Sequence, residues 1–114
     1  MSDTAALKRQ LQIKTGVVKR LTAESASYVQ EAEEQQRRVD KFVAEGRDEW
    51  DVKKQREVLE DCRKMIPDCR KRLEKATEDL EVLLEGIGNE DAALEEEVKT
   101  AQSFCDKARQ SLKA

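Results

Sequence analysis

Alternate steps of four and three residues from Leu7 land on Leu7, Leu11, Lys14, Val18, Leu21, Ser25, Tyr28, Ala32, Gln35, Val39 and Phe42. Most of these are apolar, and Lys14, Ser25 and Gln35 are the polar interruptions. A strand would need a period of two; this period belongs to a long helix that lays a narrow seam on other helices. Ile13, Val17 and Val43 are expected to widen the stripe. Ser2, Asp3 or Thr4 offers a cap, and Gly46 stands where a glycine stop belongs, so the first helix is predicted over about residues 4–45.

A second seam follows "AEGRDEW", with Asp48 as the expected cap: Val52, Gln55, Leu59, Cys62, Ile66, Cys69, Leu73, Ala76, Leu80, Leu83 and Ile87. It passes through Pro67 in "RKMIPDCRKR" without losing phase. Proline inside a helix removes one backbone donor and costs ~3 kcal/mol, so it could divide two helices or bend one. Two separate helices would have little reason to share a register. Ile66 would also have to cap the second of them, and isoleucine is among the poorest caps. Pro67 is therefore expected to bend one helix over about residues 49–86.

Gly86 and Gly88 are expected to end that helix, with Asn89 capping a third and Glu90 and Asp91 in its first turn. Its seam is Leu94, Val98, Ala101, Cys105, Ala108 and Leu112, over about residues 90–112. Short connections make neighbours antiparallel. The expected fold is all-α: one domain, residues 1–114, forming an up-down-up three-helix bundle with a shorter third helix.

That third helix can cover only the first half of helix one and the second half of helix two. The rest is expected to be a two-helix hairpin carrying Tyr28, Val39, Phe42, Val43, Trp50, Val52, Val58 and Leu59. Its seam can bury these side chains within itself, or leave a patch for a partner or a second copy.

Charge and chemistry narrow the function. A net charge of −3 lacks the basic excess of a general nucleic-acid binder. No apolar run is long enough to span a bilayer and no signal peptide is evident, so a soluble cytoplasmic protein is expected. There is no histidine, no phosphate-cradling glycine loop and no Cys-x-x-Cys pair, which argues against an enzyme, a cofactor and a metal site. Cys62 and Cys69 are two helical turns apart, ~10 Å along the axis, too far for a disulfide within one helix. Cys62, Cys69 and Cys105 are expected to be reduced, buried thiols. Carboxylates alternate with Lys and Arg as solvated helix faces do. Lys14, Lys19 and Arg20, then Arg63 to Lys75, form basic stretches opposite in sign to "NEDAALEEE", suited either to offsetting one another or to an acidic partner.

"IKTGVVKRL" (13–21), Tyr28 with its Glu/Gln-rich continuation, and "DVKKQREVLEDCRKMIPDCRKRLEKATEDL" (51–80) resemble the tubulin-specific chaperone A family, also called tubulin-folding cofactor A. The resemblance covers roughly the first three quarters of the chain. It includes the family's internal "MIPD" and Gly16, residues that a generic coiled coil avoids. It implies an ATP-independent cofactor that takes β-tubulin, an acidic protein, from the cytosolic chaperonin and holds it on the way to the α/β-tubulin heterodimer. Other tubulin-folding cofactors are implied as further partners, and the cytoskeleton as its setting. Mapped onto the matched motifs, the expected client contacts are Lys14, Lys19, Arg20, Lys53 and Lys54, with Tyr28 and Trp50. Pro67 would angle helix two for that task. The competing classes are a self-associating coiled-coil adaptor and a spectrin-like spacer. The chain begins with methionine and stops after helix three, unlike a module cut from a tandem array. Both a monomer and a homodimer fit the pattern.

Overall fold

A computed structural model describes residues 2–88 and 91–113. Helix α1 spans Ser2–Ala44 and α2 spans Glu49–Ile87; a 3-10 turn at Ala92–Leu94 leads into α3, Glu95–Lys113. No strand occurs among the described residues, and the chain is an all-α helical bundle.

The helix ends follow from local chemistry. Helix α1 already includes Ser2, so Asp3 and Thr4 lie in its first turn and do not cap it; Asp3 there suits the positive end of the helix dipole. At the other end Gly46 takes φ +69, a left-handed conformation that glycine adopts without steric cost. Its amide donates to Val43 O at 3.1 Å and the Arg47 amide to Phe42 O at 3.1 Å, the paired bonds of a Schellman stop. Arg47 also lies 4.4 Å from the Phe42 ring centroid, supplying the side-chain contact that usually accompanies this stop. Asp48 precedes α2, and its carbonyl accepts the Val52 amide at 3.1 Å.

Only one of the two expected glycines ends α2. Gly86 lies inside the helix, whereas Gly88, at φ +67, donates its amide to Leu84 O at 3.1 Å and closes it. The expected cap Asn89, and Glu90, lie outside the described residues. The cap that the structure shows is Asp91, whose carboxylate accepts the Ala93 amide at 3.0 Å and starts the 3-10 turn.

Helix α2 runs through Pro67 unbroken. Pro67 is exposed, so water reaches the Arg63 carbonyl that lacks its usual amide donor. The seam keeps its phase beyond it, with Cys69, Leu73 and Leu80 all buried. Apolar burial at ~1.5–3 kcal/mol per large side chain outweighs one missing helix bond.

The chain divides into two compact units. The first holds α1 up to Ala23, α2 from Lys71, and α3. Its core is Leu11, Val18 and Leu21 of α1, Leu73 and Leu80 of α2, and Leu94, Val98, Ala101, Cys105 and Ala108 from the 3-10 turn and α3. Lys8 pairs with Glu97 at 3.2 Å and Lys19 lies 5.7 Å from the Phe104 centroid, so α3 runs parallel to α1. Arg109 reaches Glu81 and Glu74 at 2.5 and 3.8 Å, while Leu84 and Glu85 line a depression with Gln102 and Cys105, so α3 runs antiparallel to α2. Thr77, absent from the sequence-read seam, is fully buried; its hydroxyl donates to Leu73 O at 2.7 Å, which leaves its methyl free to pack.

The second unit is Glu24–Arg70, made of α1 and α2 alone. Ala32, Val39, Val52, Leu59 and Cys69 are buried there, together with Ser25 and Gln35. The Gln35 amide donates to both the Gln55 carbonyl and its Oε1, at 2.9 Å each, so the polar interruption pins one register. Among the described residues no buried side-chain nitrogen or oxygen lacks a partner. The expected widening of the stripe fails at two positions: Ile13 is 59% and Val43 51% exposed.

Replacing Pro67 with Ala restores the missing donor without disturbing a buried contact. The expected gain is about 1–2 kcal/mol, the ~3 kcal/mol interior cost less the entropy that proline removes from the unfolded chain. Thermal denaturation followed by circular dichroism should show a melting point several degrees higher.

Candidate functional site

The described residues contain no group of three or more metal-ligating side chains, and no helix among them is long and apolar enough to cross a membrane. What the chain offers is surface. The residues singled out from the sequence fall into both units. Lys14, half-buried, and Lys19 and Arg20, exposed, stand on α1 in the first unit. Tyr28, half-buried, and the exposed Trp50, Lys53 and Lys54 belong to the second.

Two of these cations are placed on aromatic rings. Lys54 lies 5.1 Å from the Trp50 centroid, and Lys19 shares the Phe104 ring with Lys107, which is 5.2 Å away. Trp50 is 60% exposed, so Lys54 and the indole offer a cation and an apolar plate side by side. Sequence reasoning selected both without foreseeing their contact, though their i, i+4 spacing was the available signal.

Of the eight apolar residues expected on the hairpin, Val39, Val52 and Leu59 are buried, Tyr28 and Phe42 half-buried, and Val43, Trp50 and Val58 exposed. The two-helix seam therefore covers only part of them. Two shallow depressions open beside it. One, of about 530 Å³, is lined by Val39, Val43, Arg56, Leu59 and Arg63 among others; the second, of about 440 Å³, by Val29, Ala32, Arg37 and Ile66. Gln36 and Arg63 line both, and the Arg63 guanidinium donates to Gln36 Oε1 at 2.8 Å.

In the first unit Lys8, Glu81, Glu97 and Arg109 form ion pairs that hold α3. Arg109 binds Glu81 in a fork, Nη2 to Oε1 at 2.5 Å and Nε to Oε2 at 3.2 Å, and this keeps its guanidinium protonated even more firmly than usual. Glu97 is held below the ordinary carboxylate range by its own backbone amide and by Lys8. Burial pushes the Cys105 thiol up to about 11, with the Glu81 and Asp106 carboxylates adding to the rise. A thiol so placed stays protonated and unreactive, as a core residue does. Cys69 is buried too, whereas Cys62 is only half-buried, which corrects the expectation of three buried thiols.

Comparison with known proteins places the chain in a family. The family model described as Tubulin binding cofactor A matches residues 6–105, beyond the three quarters over which the motifs were recognised and well into α3. This chain belongs to the tubulin binding cofactor A family. Tubulin-specific chaperone A of Homo sapiens is 45% identical over 101 residues, covering 89% of this chain and 92% of the relative. The crystal structure of tubulin folding cofactor A from Arabidopsis thaliana has a TM-score of 0.79 and 36% identity, covering 93% of this chain and 98% of its own. A solved beta-tubulin binding post-chaperonin cofactor has a TM-score of 0.80 and 36% identity, covering 92% and 99%.

Thiol labelling checks the burial pattern. In the native chain Cys62 should react with iodoacetamide or a maleimide at neutral pH, while Cys69 and Cys105 react only after denaturant is added. Mass spectrometry of the labelled peptides distinguishes the three.

Proposed function

We propose that this tubulin cofactor captures β-tubulin as it leaves the cytosolic chaperonin and holds it, one to one and without nucleotide, until it joins α-tubulin. The observation that carries this is the likeness, over nearly the whole of both chains, to a solved beta-tubulin binding post-chaperonin cofactor. The chain's own chemistry supports it. Its surface offers pairing charges and uncovered apolar side chains, which suit holding a client, and such a task needs no bond-making step. On this reading the protein works in the cytoplasm, in the service of the cytoskeleton, and passes its client to other tubulin-folding cofactors.

Lys14, Lys19, Arg20, Lys53 and Lys54 are the proposed steering charges, with Tyr28 and Trp50 as apolar anchors. Exposed cations raise the rate of encounter with an acidic client and lose that advantage in salt, whereas a half-exposed aromatic plate slows departure. Pro67 is proposed to bend α2 locally and so set the direction of the residues before it.

Purified protein mixed with chaperonin-released β-tubulin should migrate as a one-to-one complex on native gels in the absence of ATP and GTP regeneration. Alanine at the five basic positions should weaken the complex about tenfold at low salt and flatten its salt dependence. Affinity and salt response equal to those of the unaltered chain would remove these residues from the contact.

A further inference from the structure

In the first unit, helix α3 shows which positions of α1 and α2 a third helix uses. From α1 it is met by Lys8, which bridges Glu97 at 3.2 Å, and by Lys19, 5.7 Å from the Phe104 centroid. Gln12 and Thr15 lie between them and line one depression with Glu97 and Thr100. From α2 it is met by Glu74 and Glu81, both paired with Arg109, and by Leu84, which lines a depression with Cys105. Leu73, Thr77 and Leu80 are fully buried in this unit.

A coiled-coil seam repeats every seven residues, so the same helix faces can be followed in sevens. On α1, Lys8 and Thr15 continue as Val29, Gln36 and Val43, while Gln12 and Lys19 continue as Glu33 and Asp40. On α2, Leu80 and Leu73 lead back to Ile66 and Leu59, Leu84 and Thr77 to Arg63 and Arg56, and Glu74 to Glu60. Every one of these residues lines one or both of the depressions in the second unit. The positions that hold a helix in one unit are thus an open groove in the other, with Val29 37% and Val43 51% exposed.

The edges of the groove say which helix fits. In the first unit the α1 edge presents Lys8 and Lys19, and the α2 edge Glu74 and Glu81. In the second, the seven-residue steps put Asp40 in the place of Lys19, keep an acid, Glu60, in the place of Glu74, and put Arg56 and Arg63 in the places of Thr77 and Leu84. An α3 from a second copy, laid in the same direction, would set the apolar face that holds Cys105 against the guanidiniums of Arg56 and Arg63, at positions where Leu84 lines a depression with Cys105 in the first unit. Desolvating two arginines against apolar side chains disfavours that occupant, whereas a helix with carboxylates at those positions pairs with them.

We propose that this groove seats one amphipathic helix of the client, its apolar stripe on Val29, Val43, Leu59 and Ile66 and its carboxylates toward Arg56 and Arg63. The inference rests on the reading that the client is β-tubulin, and adds to it a defined seat and a defined helix chemistry. Lys53, one seven-residue step before Glu60, extends the basic α2 edge toward Trp50. The groove accepts a helix by the packing that already holds α3, so binding requires no new architecture in the cofactor.

The test compares β-tubulin affinity for the full chain and three variants: Val29→Glu with Val43→Glu, Arg56→Glu with Arg63→Glu, and Val82→Glu. Val82 is 61% exposed in the first unit and lines none of these depressions, so its variant controls for added surface charge. Circular dichroism and sedimentation check that each variant keeps its helix content and mass. Each groove double should bind at least about tenfold more weakly, since buried like charges cost several kcal/mol, with Val82→Glu equal to the unaltered chain. A complex that both doubles retain at full strength overturns the groove and leaves the functional reading standing. So does an equal loss in Val82→Glu, or a dimer of the unaltered chain that the doubles dissolve without affecting β-tubulin. No complex with the unaltered chain would sink the functional reading and this inference with it.

Discussion

A helix whose apolar residues form one narrow stripe is stable only where something covers that stripe. In the first unit α3 provides the cover, and Leu11, Leu73, Leu80 and Leu94 lose all contact with water. At ~1.5–3 kcal/mol each, these burials outweigh the surface ion pairs around them, worth at most about 1 kcal/mol apiece. The second unit has only α1 against α2, and its seam carries smaller or polar residues: Ser25, Ala32 and Gln35. It relies more on register, which the Gln35–Gln55 hydrogen bonds hold, and less on buried volume.

That contrast separates covered seam from uncovered seam. Where the stripe is covered, charged edges are used up in holding α3, as the Arg109–Glu81 fork and the Lys8–Glu97 pair show. Where it is not, Val29, Val43 and Trp50 stay in water beside arginines and lysines. On the proposed reading the task needs affinity without chemistry, and incomplete cover of an otherwise regular seam would supply it. The tubulin binding cofactor A family, to which the chain belongs, gives that surface its context.

Much of this was legible in the residues. The seven-residue repeat revealed three helices and most of their buried positions, and the unbroken phase across Pro67 correctly indicated one helix rather than two. Gly46 announced its turn because only glycine sits at ease at φ +69. The errors were local. Gly86 and Gly88 carry the same propensity, and only the backbone shows that the second alone turns left-handed. Thr77 looked polar, yet a hydroxyl that bonds back to Leu73 O lets threonine pack like valine. Ile13 and Val43 looked like core, but they stand off the seam where no helix reaches them.

The amino-acid sequence by itself determined the fold class, the helix phases, the lack of histidine chemistry and the family, because periodicity and motif spacing are properties of the chain alone. Tertiary structure decided which stripes are covered. Whether a residue at a given heptad position is core, edge or open groove depends on whether a third helix lies there, and that is set by where α3 packs, not by the residue itself. The same decision gave the Cys105 thiol its raised pKa and left Cys62 half in water. It also left two arginines and two valines on adjoining helices lining two neighbouring depressions.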